Sequence, residues 1–166
     1  MIVYENPWFH VLKEGDFHII EENTGGEGAV VLPFVGDQLL LLEMRRPSQN
    51  MELTLEVPRG FGNAGEDALS AARRELKEET GFDLPADRFE PIGHVRPNTG
   101  ILRSRIAIYA VQIEADHPAL KADDEADGVR LVSVSDLPVA LADGQIEDGF
   151  TLSALMLYQA RKSVTR

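Results

Sequence analysis

Three carboxylates recur in the run Glu75-Leu-Lys-Glu78-Glu79. Residues three and four apart share one face of an α-helix, so this spacing lines Glu75, Glu78 and Glu79 along a single stripe. Left bare, such a stripe destabilises its own helix by like-charge repulsion. A hard divalent cation reverses the sign, because Mg²⁺ takes oxygen ligands and commonly combines one or two carboxylates with waters and substrate phosphates. The spacing reads as a metal site for phosphate chemistry, weighed against a solvated acidic helix face.

The surrounding elements favour the metal site. Leu69, Ala72 and Leu76 recur at helical spacing and give the same helix an apolar back, over roughly Glu66 to Thr80. Gly60 and Gly81 bracket the segment. The first permits a close backbone approach, and the second suits the left-handed residue that ends a helix. Leu53 to Val57 reads as a strand that leads through Pro58-Arg59-Gly60 into this loop and helix.

Elsewhere, Phe9 to Lys13 and Phe17 to Glu21 flank Glu14-Gly15-Asp16 and read as a hairpin. Ala29 to Val35 and Gln38 to Met44 are apolar strands turned by Gly36-Asp37, and their continuous hydrophobicity implies cover on both faces. Phe89 to Val95, Arg103 to Glu114 and Gly128 to Val134 are expected as strands, and Asp136 to Ala142 and Thr151 to Lys162 as helices. The class is α/β, without strict alternation and without an internal repeat.

Composition limits the alternatives. A chain of 166 residues fits one domain with a sizeable core. Its 28 acidic against 16 basic residues leave a net charge of -12, which repels polyanions and argues against a nucleic-acid binder. There is no cysteine, so disulfides, thiolate nucleophiles and cysteine-zinc sites are excluded. The histidines at 10, 18, 94 and 117 show no ligand-like spacing. No apolar stretch approaches the roughly 20 residues needed to span a bilayer, and Met1-Ile-Val-Tyr-Glu lacks the basic start of a secretion signal. No membrane partner and a cytoplasmic location are the default expectations.

From Gly60 to Phe82 the chain fills every fixed position of G-x5-E-x7-R-E-U-x-E-E-x-G-U, where U is a bulky apolar residue. This run resembles the Nudix box, and from about Gly28 onward the chain resembles that hydrolase superfamily. The resemblance implies an α/β/α sandwich with a mixed β-sheet over residues 28–166, with residues 1–27 as an N-terminal β-hairpin extension. It implies Mg²⁺, or Mn²⁺ in its place, held by Glu75, Glu78, Glu79 and a backbone carbonyl near Arg59, and hydrolysis of a pyrophosphate bond in which Glu75 and Glu79 act catalytically. Glu66 and Arg74 are then a structural ion pair.

The flanks resemble one branch. Leu55-Glu56-Val57-Pro58-Arg59-Gly60 is similar to the E-[LV]-P-[AR]-G approach of ADP-ribose and nucleotide-sugar pyrophosphatases, and Pro97 lies 15 residues beyond Phe82, where that branch carries proline. Gly144 to Leu155 looks like its closing loop and helix. The implied reaction is ADP-ribose to AMP and ribose 5-phosphate. Another nucleotide sugar or a dinucleotide is the runner-up, and a non-catalytic nucleotide-sensing module is the other class. A homodimer is expected. Glu125, in the acidic loop Asp123-Asp124-Glu125-Ala-Asp127-Gly128, is the expected general base with Asp127 as its rival. Arg46 is expected at the diphosphate, and Trp8 at adenine or simply packed in the hairpin. Arg103 and Arg105 stand where many members carry an acidic residue, and would suit an extra phosphate or carboxylate.

Overall fold

The computed structural model describes residues 1–23, 25–115 and 125–164. Strands β4 (Ala29–Val35) and β5 (Gln38–Arg45) are joined by the Gly36-Asp37 turn. They pair only beside that turn, at Phe34 with Leu39 and Val35 with Gln38. Beyond it the two strands splay apart into a fork. The freed inner edge of β5 takes β6 (Leu53–Glu56), and that of β4 takes β7 (Arg59–Gly60), so the connecting Val57-Pro58 crosses the mouth of the fork.

The outer edges complete a seven-stranded mixed sheet. β9 (Ile106–Ile113) runs parallel to β4 along its whole length, β8 (Phe89–Val95) is antiparallel to β9, and β10 (Ala126–Ser133) is antiparallel to β5. Both central strands are buried on both faces, as their unbroken hydrophobicity predicts.

Alternation along those strands sorts two cores. Val30, Leu32, Phe34, Leu39 and Leu41 pack toward α2 (Leu137–Ala142) and α3 (Gly149–Val164). Ala29, Val31, Leu40, Leu42 and Met44 pack with Ala71, Ala72 and Leu76 of α1 (Ala68–Thr80). The result is the expected α/β/α sandwich. Each fully buried Leu or Val contributes roughly 1.5–3 kcal/mol.

Helix α1 begins at Ala68 rather than Glu66, because the Asp67 carboxylate accepts from the Ser70 N–H at 2.7 Å and caps the first turn. Gly81, at φ 80°, ends the helix as expected, its N–H donating to the Lys77 carbonyl at 2.9 Å.

The N-terminal extension has three strands where the hairpin pattern shows two. β1 (Ile2–Glu5) pairs with β2 (Phe9–Glu14), which pairs with β3 (Phe17–Glu22), all antiparallel. This small sheet is clipped to the main domain through Ile20, whose N–H donates to the Ile101 carbonyl at 2.7 Å and whose carbonyl accepts from the Arg103 N–H at 3.1 Å. The Arg103 guanidinium reaches Glu14 at 3.0 Å and Glu21 at 3.4 Å. The carboxylates it meets are therefore the chain's own. Among the described residues no helix is long and apolar enough to cross a membrane.

Candidate functional site

The β6-Val57-Pro58-β7 crossover delivers Glu56 and Arg59 to the fork, with α1 beside it. There a cavity of about 470 Å³ opens, lined by Arg46, Arg59, Glu75, Glu78, Glu79, Pro97 and Glu125 among others. These residues come from β5's end, the crossover, α1, the loop after β8 and the start of β10. Separate stretches of sequence converge on one space.

The carboxylates of α1 are not equivalent. Glu75 and Glu79 are buried, whereas the Glu78 side chain is 55% exposed. Arg74 lies among them, donating to Glu75 at 2.7 Å, Glu78 at 3.0 Å and Glu66 at 2.9 Å, and to the Phe61 carbonyl at 2.7 Å. The Glu66–Arg74 pair is thus present, and Arg74 also offsets the repulsion along the stripe. Burial pushes the Glu75 carboxyl above the usual range, with Arg74 opposing. Glu79 accepts from the Arg59 backbone N–H at 3.1 Å, which lays that backbone against the carboxylates. At Gly60 an added Cβ would lie on the Glu75 carboxylate, so the close approach expected there is to the site itself.

Among the described residues no three acidic or histidine side chains stand gathered as a ready metal cage. The donor set nonetheless fits a hard divalent cation. Glu75, Glu78 and Glu79 face one cavity and offer only oxygen, and the buried Glu75 gains from any positive charge brought to it.

Glu56, the glutamate of the E-[LV]-P-[AR]-G approach, was assigned no role from sequence and lies behind two of the arginines that line the cavity. Its side chain is 4% exposed and sits between two guanidiniums, Arg46 at 2.9 Å and Arg59 at 3.0 Å, while the Thr54 hydroxyl donates at 3.0 Å. Burial alone would raise its carboxyl, but the two arginines overcome that and hold it below the usual range. The available signal was a lone glutamate between Leu55 and Val57 in an apolar strand, since a buried charge must find partners. Arg59 also pairs with Asp148 at 3.4 Å and lies 4.6 Å over the Phe150 ring. Asp148 accepts from the Thr151 N–H and hydroxyl, each at 2.8 Å, and the Thr151 oxygen accepts from the Val57 N–H at 3.0 Å. The start of α3 is in this way bolted to the crossover.

Of the remaining expectations, Arg46, Pro97 and Glu125 lie in the cavity wall. The charges of Glu56, Glu125 and Glu79 all favour the Arg46 cation against its burial. Asp127 is instead paired with Arg45 at 2.8 Å and lies outside the lining, while Asp123 and Asp124 fall outside the described residues. Trp8 also lies outside the lining and is 73% exposed in the single chain.

A family model for the NUDIX domain matches residues 26–152. The chain belongs to the Nudix family. The run from Gly60 to Phe82 is then its Nudix box, and α1 the helix of that box. An ADP-ribose pyrophosphatase of Saccharomyces cerevisiae is 33% identical over 82 residues, which make up 49% of this chain and 34% of that protein. The chain thus spans about a third of the curated relative it matches. A crystal structure of an ADP compounds hydrolase superposes with a TM-score of 0.73 and 20% identity, covering 99% of this chain and 92% of that one, which supports the Nudix sandwich as a fold.

Proposed function

We propose that the chain is a metal-dependent Nudix pyrophosphohydrolase that cleaves ADP-ribose to AMP and ribose 5-phosphate. The convergence of the box carboxylates with Arg46, Pro97 and Glu125 on one cavity carries this reading. The name of the yeast relative supports the substrate.

Glu75, Glu78 and Glu79, with the backbone at Arg59, would hold Mg²⁺ or Mn²⁺, whose chemistry is Lewis-acid polarisation of a phosphoryl oxygen and activation of water. Arg46 presents to the diphosphate the guanidinium N–H groups that Glu56 leaves free for it, in a planar fork suited to phosphate oxygens. Glu125, on the same wall, takes the proton from the attacking water. Arg74 and the Arg59 N–H keep Glu75 and Glu79 oriented.

The test is Mg²⁺-dependent release of phosphate, through a coupled phosphatase, over ADP-ribose, NADH, sugar nucleotides and dinucleoside polyphosphates. ADP-ribose is expected to turn over fastest. Glu79→Gln should lose nearly all of that turnover with an unchanged circular dichroism spectrum, and a variant that still turns over would reject the site.

A further inference from the structure

Phe61 follows Gly60 in the box loop, and 53% of it stands exposed at the lip of the cavity. Its carbonyl is held by Arg74, so the backbone carrying the ring is tied to α1. Phe61 also lines a second, smaller cavity of about 230 Å³, and Glu22, Ser104 and Ile106 likewise belong to both walls. The two spaces adjoin around Phe61. One holds the charged residues suited to a diphosphate, and the other is small enough to take a single ring.

The character of the smaller cavity narrows what that ring is. Glu21, Glu22 and Glu27 face it against Arg103 and Arg105, and Arg103 is engaged by Glu14 and Glu21. His10 meets Glu21 at 2.9 Å, Ser104 donates to Glu22 at 2.7 Å and the Ala68 N–H to Glu27 at 3.2 Å, each carboxylate keeping further lone pairs. Carboxylates repel a further phosphate and accept hydrogen bonds from N–H and O–H groups. An uncharged heterocycle with donors on its edge meets both conditions, and an aromatic face beside it stacks such a ring whatever its identity. Trp8, read from sequence as either facing adenine or packed in the hairpin, lines neither cavity.

We propose that Phe61 is the platform on which the nucleobase of the substrate stacks, with the edge of the base turned into the smaller cavity. Phe61 is then a specificity-determining residue rather than a catalytic one. The assignment rests on the pyrophosphohydrolase reading for its choice of a nucleotide.

Calorimetric titration of the whole chain with AMP in the presence of Mg²⁺ tests it, using the native protein, Phe61→Leu and Phe61→Trp. AMP is not cleaved, so the affinity is readable even where hydrolysis of ADP-ribose fails. Phe61→Leu is expected to weaken AMP binding by about tenfold or more, and Phe61→Trp to bind at least as tightly as the native chain. Equal affinity in Phe61→Leu and the native chain would overturn the proposal. So would a similar loss in both variants, which marks a disturbed loop, or an absence of AMP binding by the native protein.

Discussion

Glu125 lines the cavity wall, whereas Glu56 lies behind it against two of the lining arginines, so their surroundings differ. Glu56 is sealed between Arg46 and Arg59 and held ionised, so it orients cations and is unsuited to taking up a proton. Its depressed value makes a stabilising contribution that is present above the ordinary glutamate range, about pH 4.3, and is lost as pH falls through the lower folded value. Glu56→Gln should therefore lose about 2 kcal/mol of stability at neutral pH. The difference from the native chain should close on acidification below about pH 4, read by urea unfolding across a pH series. Glu125 is exposed on the cavity wall, open to solvent. Glu125→Gln should lower kcat at least about 10²-fold, whereas Asp127→Asn, whose carboxylate serves Arg45, should leave turnover within a few-fold.

Among the elements, the box loop and α1 meet at Gly60, and the nature of the contact decides what a substitution does. The atoms a Cβ would strike are the far end of the Glu75 side chain, which can swing aside, rather than fixed backbone. Gly60→Ala should thus melt within a few degrees of the native protein but lose about 10²-fold in turnover, because the carboxylate is what moves. This part of the site was legible in the sequence, since the spacing of Glu75, Glu78 and Glu79 and the bracketing glycines are local features. Less legible was β1, where Ile2, Val3, Tyr4 and Glu5 are all exposed and leave no alternation to read. The fork was also hidden, because where β4 and β5 stop pairing depends on segments about 20 residues downstream. Glu56 was legible as part of the approach motif but its pairing was not, because only the folded crossover brings Arg46 and Arg59 to it.

At the scale of the molecule, the buried Glu75 carries an electrostatic load, which the proposed cation would relieve. Mg²⁺ at about 100 times its dissociation constant should stabilise the native chain by about 2.7 kcal/mol and raise its melting temperature by several degrees. Glu75→Gln and Glu79→Gln should each remove most of that shift in a thermal melt. The splayed centre of the sheet carries a further implication. The inward rims of β4 and β5 are covered by a two-residue and a four-residue strand, and that cover is anchored through Val57 to Thr151. Release of this one plug would uncover main-chain donors and acceptors in the middle of the protein, a template for strand addition by another chain. The crossover that brings Arg59 to the cavity thereby also covers two strand edges that would otherwise be open to pairing.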